Sequence, residues 1–72
     1  MPMILVDDGV TCLVQKVCGS EKLRRHMESL GFVEGTEISI LSRFSEYFIV
    51  LVKGSKIGLD KETAKHIIVS VR

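Results

Sequence analysis

Seventy-two residues, 46% of them hydrophobic and 26% charged, allow one domain, residues 1–72, because a second core could not bury enough surface at this length. So apolar a chain with so little net charge is not a disordered segment, and 10 basic residues against 9 acidic ones argue against a dedicated nucleic-acid binder, whose affinity rests on neutralising phosphates. A core at this size is rarely worth more than about 3–5 kcal/mol, so strained catalytic machinery has little to stand on and the chain reads as a non-enzyme.

Met1 to Val6 are apolar but meet Asp7 and Asp8 at once, with no Lys or Arg ahead of them. That is neither a signal peptide nor a membrane span, which needs about 20 apolar residues, so the expectation is a cytoplasmic protein that does not insert into a membrane. Val10 to Val17 reads as a first strand between Gly9 and Gly19. Val10, Cys12 and Val14 alternate, while Leu13 and Val17 take the other face, a mixed parity that predicts a bend or bulge. Ser20 to Leu30 has the signals of a helix: Ser20 as cap, Glu21 in the first turn, an apolar stripe of Leu23, Met27 and Leu30, and Gly31 as the stop. Glu21 with Arg25, and Arg24 with Glu28, sit at the spacing of ion pairs on its outer side.

After the turn Phe32 to Gly35, Thr36 to Phe44 reads as a strand with Ile38 and Ile40 inward and Glu37 and Ser39 outward. Ser45 and Glu46 connect it to Tyr47–Val52, and Lys53 to Lys56 turn the chain again toward Ile57 and Leu59. Asp60 caps a short helical turn through Thr63 and Lys65, and Ile67 to Val71 makes the last strand, with Ile67, Val69 and Val71 on one face. The total is five short strands, one proper helix and one helical turn. A mainly β chain of closely spaced antiparallel strands must curl on itself to bury a core, which predicts a small, partly open barrel.

Few side chains carry reactive chemistry. Cys12 and Cys18 lie about 20 Å apart if they share one strand, far beyond bridging distance, so they read as free thiols. No metal, phosphate-loop or dinucleotide motif occurs, and the cysteine spacing is not that of a zinc knuckle. His26 faces away from the helix stripe, and His66 sits where a cation complements helix carbonyls. No catalytic, cofactor-binding or metal-ligating residue is assigned. Lys22, Arg24, Arg25 and His26 are interleaved with Glu21 and Glu28 and read as a solvated helix face.

Tyr47–Val52 is more informative, because a half-exposed antiparallel strand should alternate. Six consecutive apolar residues mean that both faces are covered or that one is left oily. The helix stripe is the favoured internal cover and a partner protein the alternative. Leu41, Phe44, one face of this run and Ile68 are the apolar residues that simple alternation does not absorb.

The stretch from Leu23 through Gly31-Phe32-Val33-Glu34-Gly35 to Thr36 resembles the helix-and-turn signature of the ferrous iron transport protein A (FeoA) family: a basic amphipathic helix ending in Leu-Gly, an apolar residue, then a second glycine opening a strand. Gly9, Gly19, Lys56-Ile57-Gly58-Leu59, Ala64 and Ile67-Ile68-Val69 are similar in order to the family's flanks. Glu34, Ser45-Glu46 and Asp60 depart from it, standing where the family often has proline, a Gly/Pro hairpin and a basic residue. The resemblance implies an SH3-like β-barrel with a helix inserted after the first long strand, working as a cytosolic bacterial accessory protein that docks to the cytoplasmic part of the membrane GTPase permease of ferrous iron. On this reading Phe44, Tyr47 and Phe48, rimmed by Arg43 and Lys53, form the partner-binding surface. An SH3-like regulatory domain of the iron-dependent repressor type, a small-barrel RNA binder, and binding of a transition metal by the chain itself stay open as alternatives, as does the oligomeric state.

Overall fold

In the computed structural model, which describes residues 1–71, the chain opens with a single 3₁₀ turn, Met3–Leu5. It then forms β1 (Thr11–Val17), α1 (Glu21–Ser29), β2 (Glu37–Arg43), β3 (Tyr47–Val52), β4 (Ser55–Asp60), α2 (Lys61–Lys65) and β5 (Ile67–Val71). The five strands make one antiparallel sheet in the order β4-β3-β2-β1-β5. Among the described residues β4 and β5 do not pair, so the curled sheet stays open between them, as a partly open barrel does.

Local signals explain most boundaries. The Ser20 hydroxyl accepts a hydrogen bond from the Leu23 N–H at 3.1 Å and starts α1, whose first turn is tied by Glu21 and Arg25 at 2.6 Å. The helix ends in a Schellman motif: the Gly31 N–H donates to the Glu28 carbonyl and the Phe32 N–H to the Met27 carbonyl, each at 3.0 Å. Gly31 holds φ +105°, and Met27 and Phe32, the two apolar ends of the motif, are both in the core. Lys53 and Gly54, at φ +50° and +80°, form a two-residue turn of the I′ kind that matches strand twist. The turn is therefore two residues long rather than four, and β4 starts at Ser55.

Alternate residues of the strands fill one core: Cys12 and Val14, Ile38 and Ile40, Phe48, Val50 and Val52, Leu59, Ile67 and Val69. The mixed parity of β1 has its cause in a register shift against β5 between Val14 and Lys16. Val71, paired with Cys12 at the end of β5, is exposed, unlike Ile67 and Val69. The N-terminal residues have a structural role that composition did not reveal. The Met1 ammonium donates to the Val69 carbonyl at 3.0 Å and the Val69 N–H to the Met1 carbonyl at 2.7 Å, while Pro2 bridges to Ile68. This segment covers the outer side of β5 and buries Met3 and Val6.

α2 is set by Asp60, which accepts from the Thr63 N–H at 3.3 Å. Hydrogen bonding from Thr63, its side chain first, holds the Asp60 carboxyl below its ordinary value.

Two outcomes test these local devices. A Cβ at residue 31 would stand 3.0 Å from Val52 Cγ1 in a positive-φ backbone, so Gly31→Ala should cost more than about 1 kcal/mol and lower Tm by several degrees. The contribution of Asp60 is complete above its unfolded value of 3.8 and is lost as pH falls through the lower folded value. Urea titrations between neutral pH and pH 2 should therefore show a smaller acid loss for Asp60→Asn, which caps without titrating, than for the natural chain.

Candidate functional site

The site is built on an irregularity in β2. Ile38 and Ile40 point into the core, and unbroken alternation would send Phe44 inward as well. Instead the register on β3 slips: Ile40 faces Val50, Ser42 faces Ile49 and Arg43 faces Phe48. Leu41 is the extra residue of a bulge and stands exposed. Beyond it the alternation reverses, so Arg43 falls on the same side of the sheet as Phe48 and Phe44 turns out. The Gly9 N–H donates to the Ile40 carbonyl at 2.7 Å, beside the bulge, and this fixes Asp8 next to the end of β2.

Arg43 is held from two directions. Its guanidinium carbon lies 5.3 Å from the centroid of the Phe48 ring, and its Nε is 3.4 Å from Asp8 Oδ1. Phe44 and Tyr47 flank Ser45-Glu46, and the Phe44 N–H donates to the Tyr47 carbonyl at 2.8 Å. Their rings stack with centroids 4.6 Å apart and planes 19° from parallel, yet they remain 48% and 45% exposed. Such a pair is worth about 0.5–1.5 kcal/mol beyond its burial, which stiffens the tip without hiding it. Beside it lies a depression of about 350 Å³ lined by Ile4, Arg43, Phe44, Ser45, Phe48 and Lys61.

Of the residues expected to form one surface, Arg43, Phe44 and Tyr47 stand together at the hairpin, and Phe48 and Lys53 are placed differently. Phe48 is 4% exposed and belongs to the core, because its pairing with Leu59 and Arg43 puts it on the inner face. Its ring is the floor of the site. Lys53 lies at the opposite end of β3, about 17 Å along the strand from Phe48, where its stem runs beside Gly31. Ile4, Asp8 and Lys61 join the site instead. The first two come from a segment with no periodicity to mark it, and Lys61 is placed when its N–H donates to the Glu46 carbonyl at 2.9 Å.

The other candidates stand apart. Cys12 and Cys18 are free; Cys12 is buried, and burial pushes its thiol above the ordinary value, whereas Cys18 is half-buried. His26 is exposed on α1 and His66 caps the C-terminus of α2. Among the described residues no three His, Cys, Asp or Glu side chains gather as a metal site would need. A second depression of about 370 Å³ between β1 and α1 sets Lys16 and Arg24 against Glu28 and Glu34. Its charges balance, and it has no exposed aromatic side chain. No helix among the described residues is long and apolar enough to cross a membrane.

The model of the FeoA domain matches residues 1–71. The chain belongs to the FeoA family. The crystal structure of an iron uptake regulatory protein (FeoA) superposes with a TM-score of 0.93 at 22% identity, covering 100% of this chain and 97% of that one. FeoA from Stenotrophomonas maltophilia, solved in complex with zinc and described as a prokaryotic SH3 domain protein, gives 0.85 at 22% identity, covering 97% and 89%. A manganese-dependent transcriptional repressor gives 0.92 at 20% identity over 100% of this chain but only 36% of its own length. No curated protein matches. The FeoA fold seen here is accordingly SH3-like, with α1 inserted between β1 and β2.

Phe44 and Phe48, four residues apart, should respond oppositely to truncation. Phe48→Ala removes a core ring and should cost about 3–5 kcal/mol, enough to unfold so small a domain. Phe44→Ala should cost about 1 kcal/mol and leave the amide spectrum of the core unchanged.

Proposed function

We propose that this FeoA-family chain is a non-catalytic, cytoplasmic accessory factor of bacterial ferrous iron uptake that docks through its β2–β3 hairpin to the cytoplasmic part of the membrane GTPase permease. Family membership supports the iron-transport context, and the S. maltophilia relative is itself put forward as a ferrous iron transport activating factor. The observation that carries the docking reading is the stacked, half-exposed Phe44–Tyr47 pair with Arg43 beside it. Aromatic and arginine anchors next to a pocket are the groups that dominate protein interfaces. They already contact one another or their neighbours before binding, which lowers the side-chain entropy lost when a partner covers them. The adjoining depression accepts one apolar side chain against Ile4 and Phe48, and Lys61 at its border suits a carboxylate from the partner. The likeness to repressor domains rests on 20% identity and speaks to the fold alone.

The reading is tested by binding of the chain to the detergent-solubilised permease. Replacing both Phe44 and Tyr47 by serine should weaken binding at least about tenfold while Tm and the core amide spectrum hold. Unchanged affinity in a folded double variant would remove the hairpin as the docking surface.

A further inference from the structure

The two edges of the sheet are treated differently by this chain. The outer side of β5 is occupied by its own N-terminus, through the paired Met1–Val69 hydrogen bonds and the Pro2–Ile68 bridge. β4 pairs with β3 without a slip from Tyr47–Asp60 to Val52–Ser55, and among the described residues no main-chain hydrogen bond from another segment reaches its outer side. Ser55, Lys56, Gly58 and Asp60 are all exposed. Natural edge strands are blunted by proline, a bulge, an inward charge or charged side chains along the edge; β4 has only the last, Lys56 and Asp60, and no proline, bulge or inward charge. A free, straight edge of this kind is a template for another strand.

The side chains of β4 specify which strand. Lys56, Gly58 and Asp60 lie on the outer face of the sheet, and Ile57 and Leu59 on the core face. If β4 meets itself antiparallel about a two-fold axis at Gly58, Lys56 of one copy stands opposite Asp60 of the second copy, and the same pair forms again on the other side of the axis. Ile57 then stands opposite Leu59. The sequence of this strand is thus self-complementary in charge and in hydrophobicity, which an isologous interface requires. Gly58 suits the centre of such a contact. No side chain projects there, and Ile49 leans over it from β3, with its Cδ1 3.7 Å from the position a Cβ would take. Joining two edges at Gly58 therefore places Ile49 of each copy near the axis and adds apolar contact to the main-chain bonds.

We propose that β4 pairs with β4 of a second copy of this chain, antiparallel about Gly58, to make a reversible homodimer with one continuous sheet. The contact is short, at the low end of specific interfaces in area, so the dimer is weak and depends on concentration. Sedimentation equilibrium of the full chain from micromolar to millimolar concentration should show monomer passing to dimer. Amide exchange should slow with concentration at Ser55–Asp60 and not elsewhere. Lys56→Glu sets like charges opposite one another twice per dimer and should weaken association at least about tenfold, with the monomer's amide spectrum intact. A chain that stays monomeric throughout overturns the proposal, as does a dimer protected at another surface or one indifferent to Lys56→Glu. Protection of β4 that appears only on adding the permease, with the chain still monomeric, would give the edge to a strand of that partner and equally overturn the homodimer.

Discussion

The structure depends on one geometric constraint: β3 contains six apolar residues in a row, and the domain has only one core to receive them. Pleating sends alternate side chains to opposite faces, so Phe48, Val50 and Val52 enter that core and Tyr47, Ile49 and Leu51 must be left outside it. A larger α/β protein would cover the second face with helices. Here α1 packs Met27 and, more loosely, Leu23 and Leu30 into the single core, and α2 adds Ala64 there. The outer apolar residues are therefore a consequence of size, and what the chain does with them is where function enters.

The bulge at Leu41 sharpens that consequence at one end of the sheet. It reverses the parity of β2 for its last residues, which exchanges a buried phenylalanine for an exposed one and an exposed arginine for one laid across a core ring. Without the slip, Phe44 would join Phe48 on the inner face and Arg43 would turn to the outer one. With it, Phe44 meets Tyr47 across the turn and stacks, while Arg43 lies over the face of the Phe48 ring. The site and the core are thus made by the same two strands, divided only by which face each residue takes.

The helix was legible because Ser20, the Leu23–Met27–Leu30 stripe and Gly31 each state the same boundary by a different mechanism, and the cap of α2 at Asp60 was legible for the same reason. β2, β3 and β5 could be read from their β-branched and aromatic residues. The facing of Tyr47 and Phe48 could not, because an unbroken apolar run has no internal parity, and only the pairing with Leu59 and Asp60 assigns it. Lys53 looked near the aromatic cluster in the chain, but six strand residues carry it to the far end. Phe32, read only as the start of a turn, is buried as the C-terminal half of the α1 stop signal. Met3 and Val6 carried no signal, since six apolar residues before two aspartates show neither a helical nor a strand period.

These misreadings share a cause that bears on how the SH3-like fold is reused. What could be read locally is what holds the core, and the fold built round it is what the structures of FeoA proteins and of a manganese-dependent repressor share at 20–22% identity. What could not be read locally is the register, and register decides which residues reach the surface. A one-residue slip such as the one at Leu41 leaves Ile38, Ile40, Val50 and Val52 in place, so the fold tolerates it, while it changes every outward side chain between the bulge and the turn. A small barrel can therefore keep its interior and acquire a different contact surface by moving a bulge, without needing a larger core or a new element. In this chain the slip brings an aromatic pair to the hairpin tip, and the regular pairing of β3 with β4 leaves an edge whose charges answer one another; both surfaces follow from strand register rather than from composition.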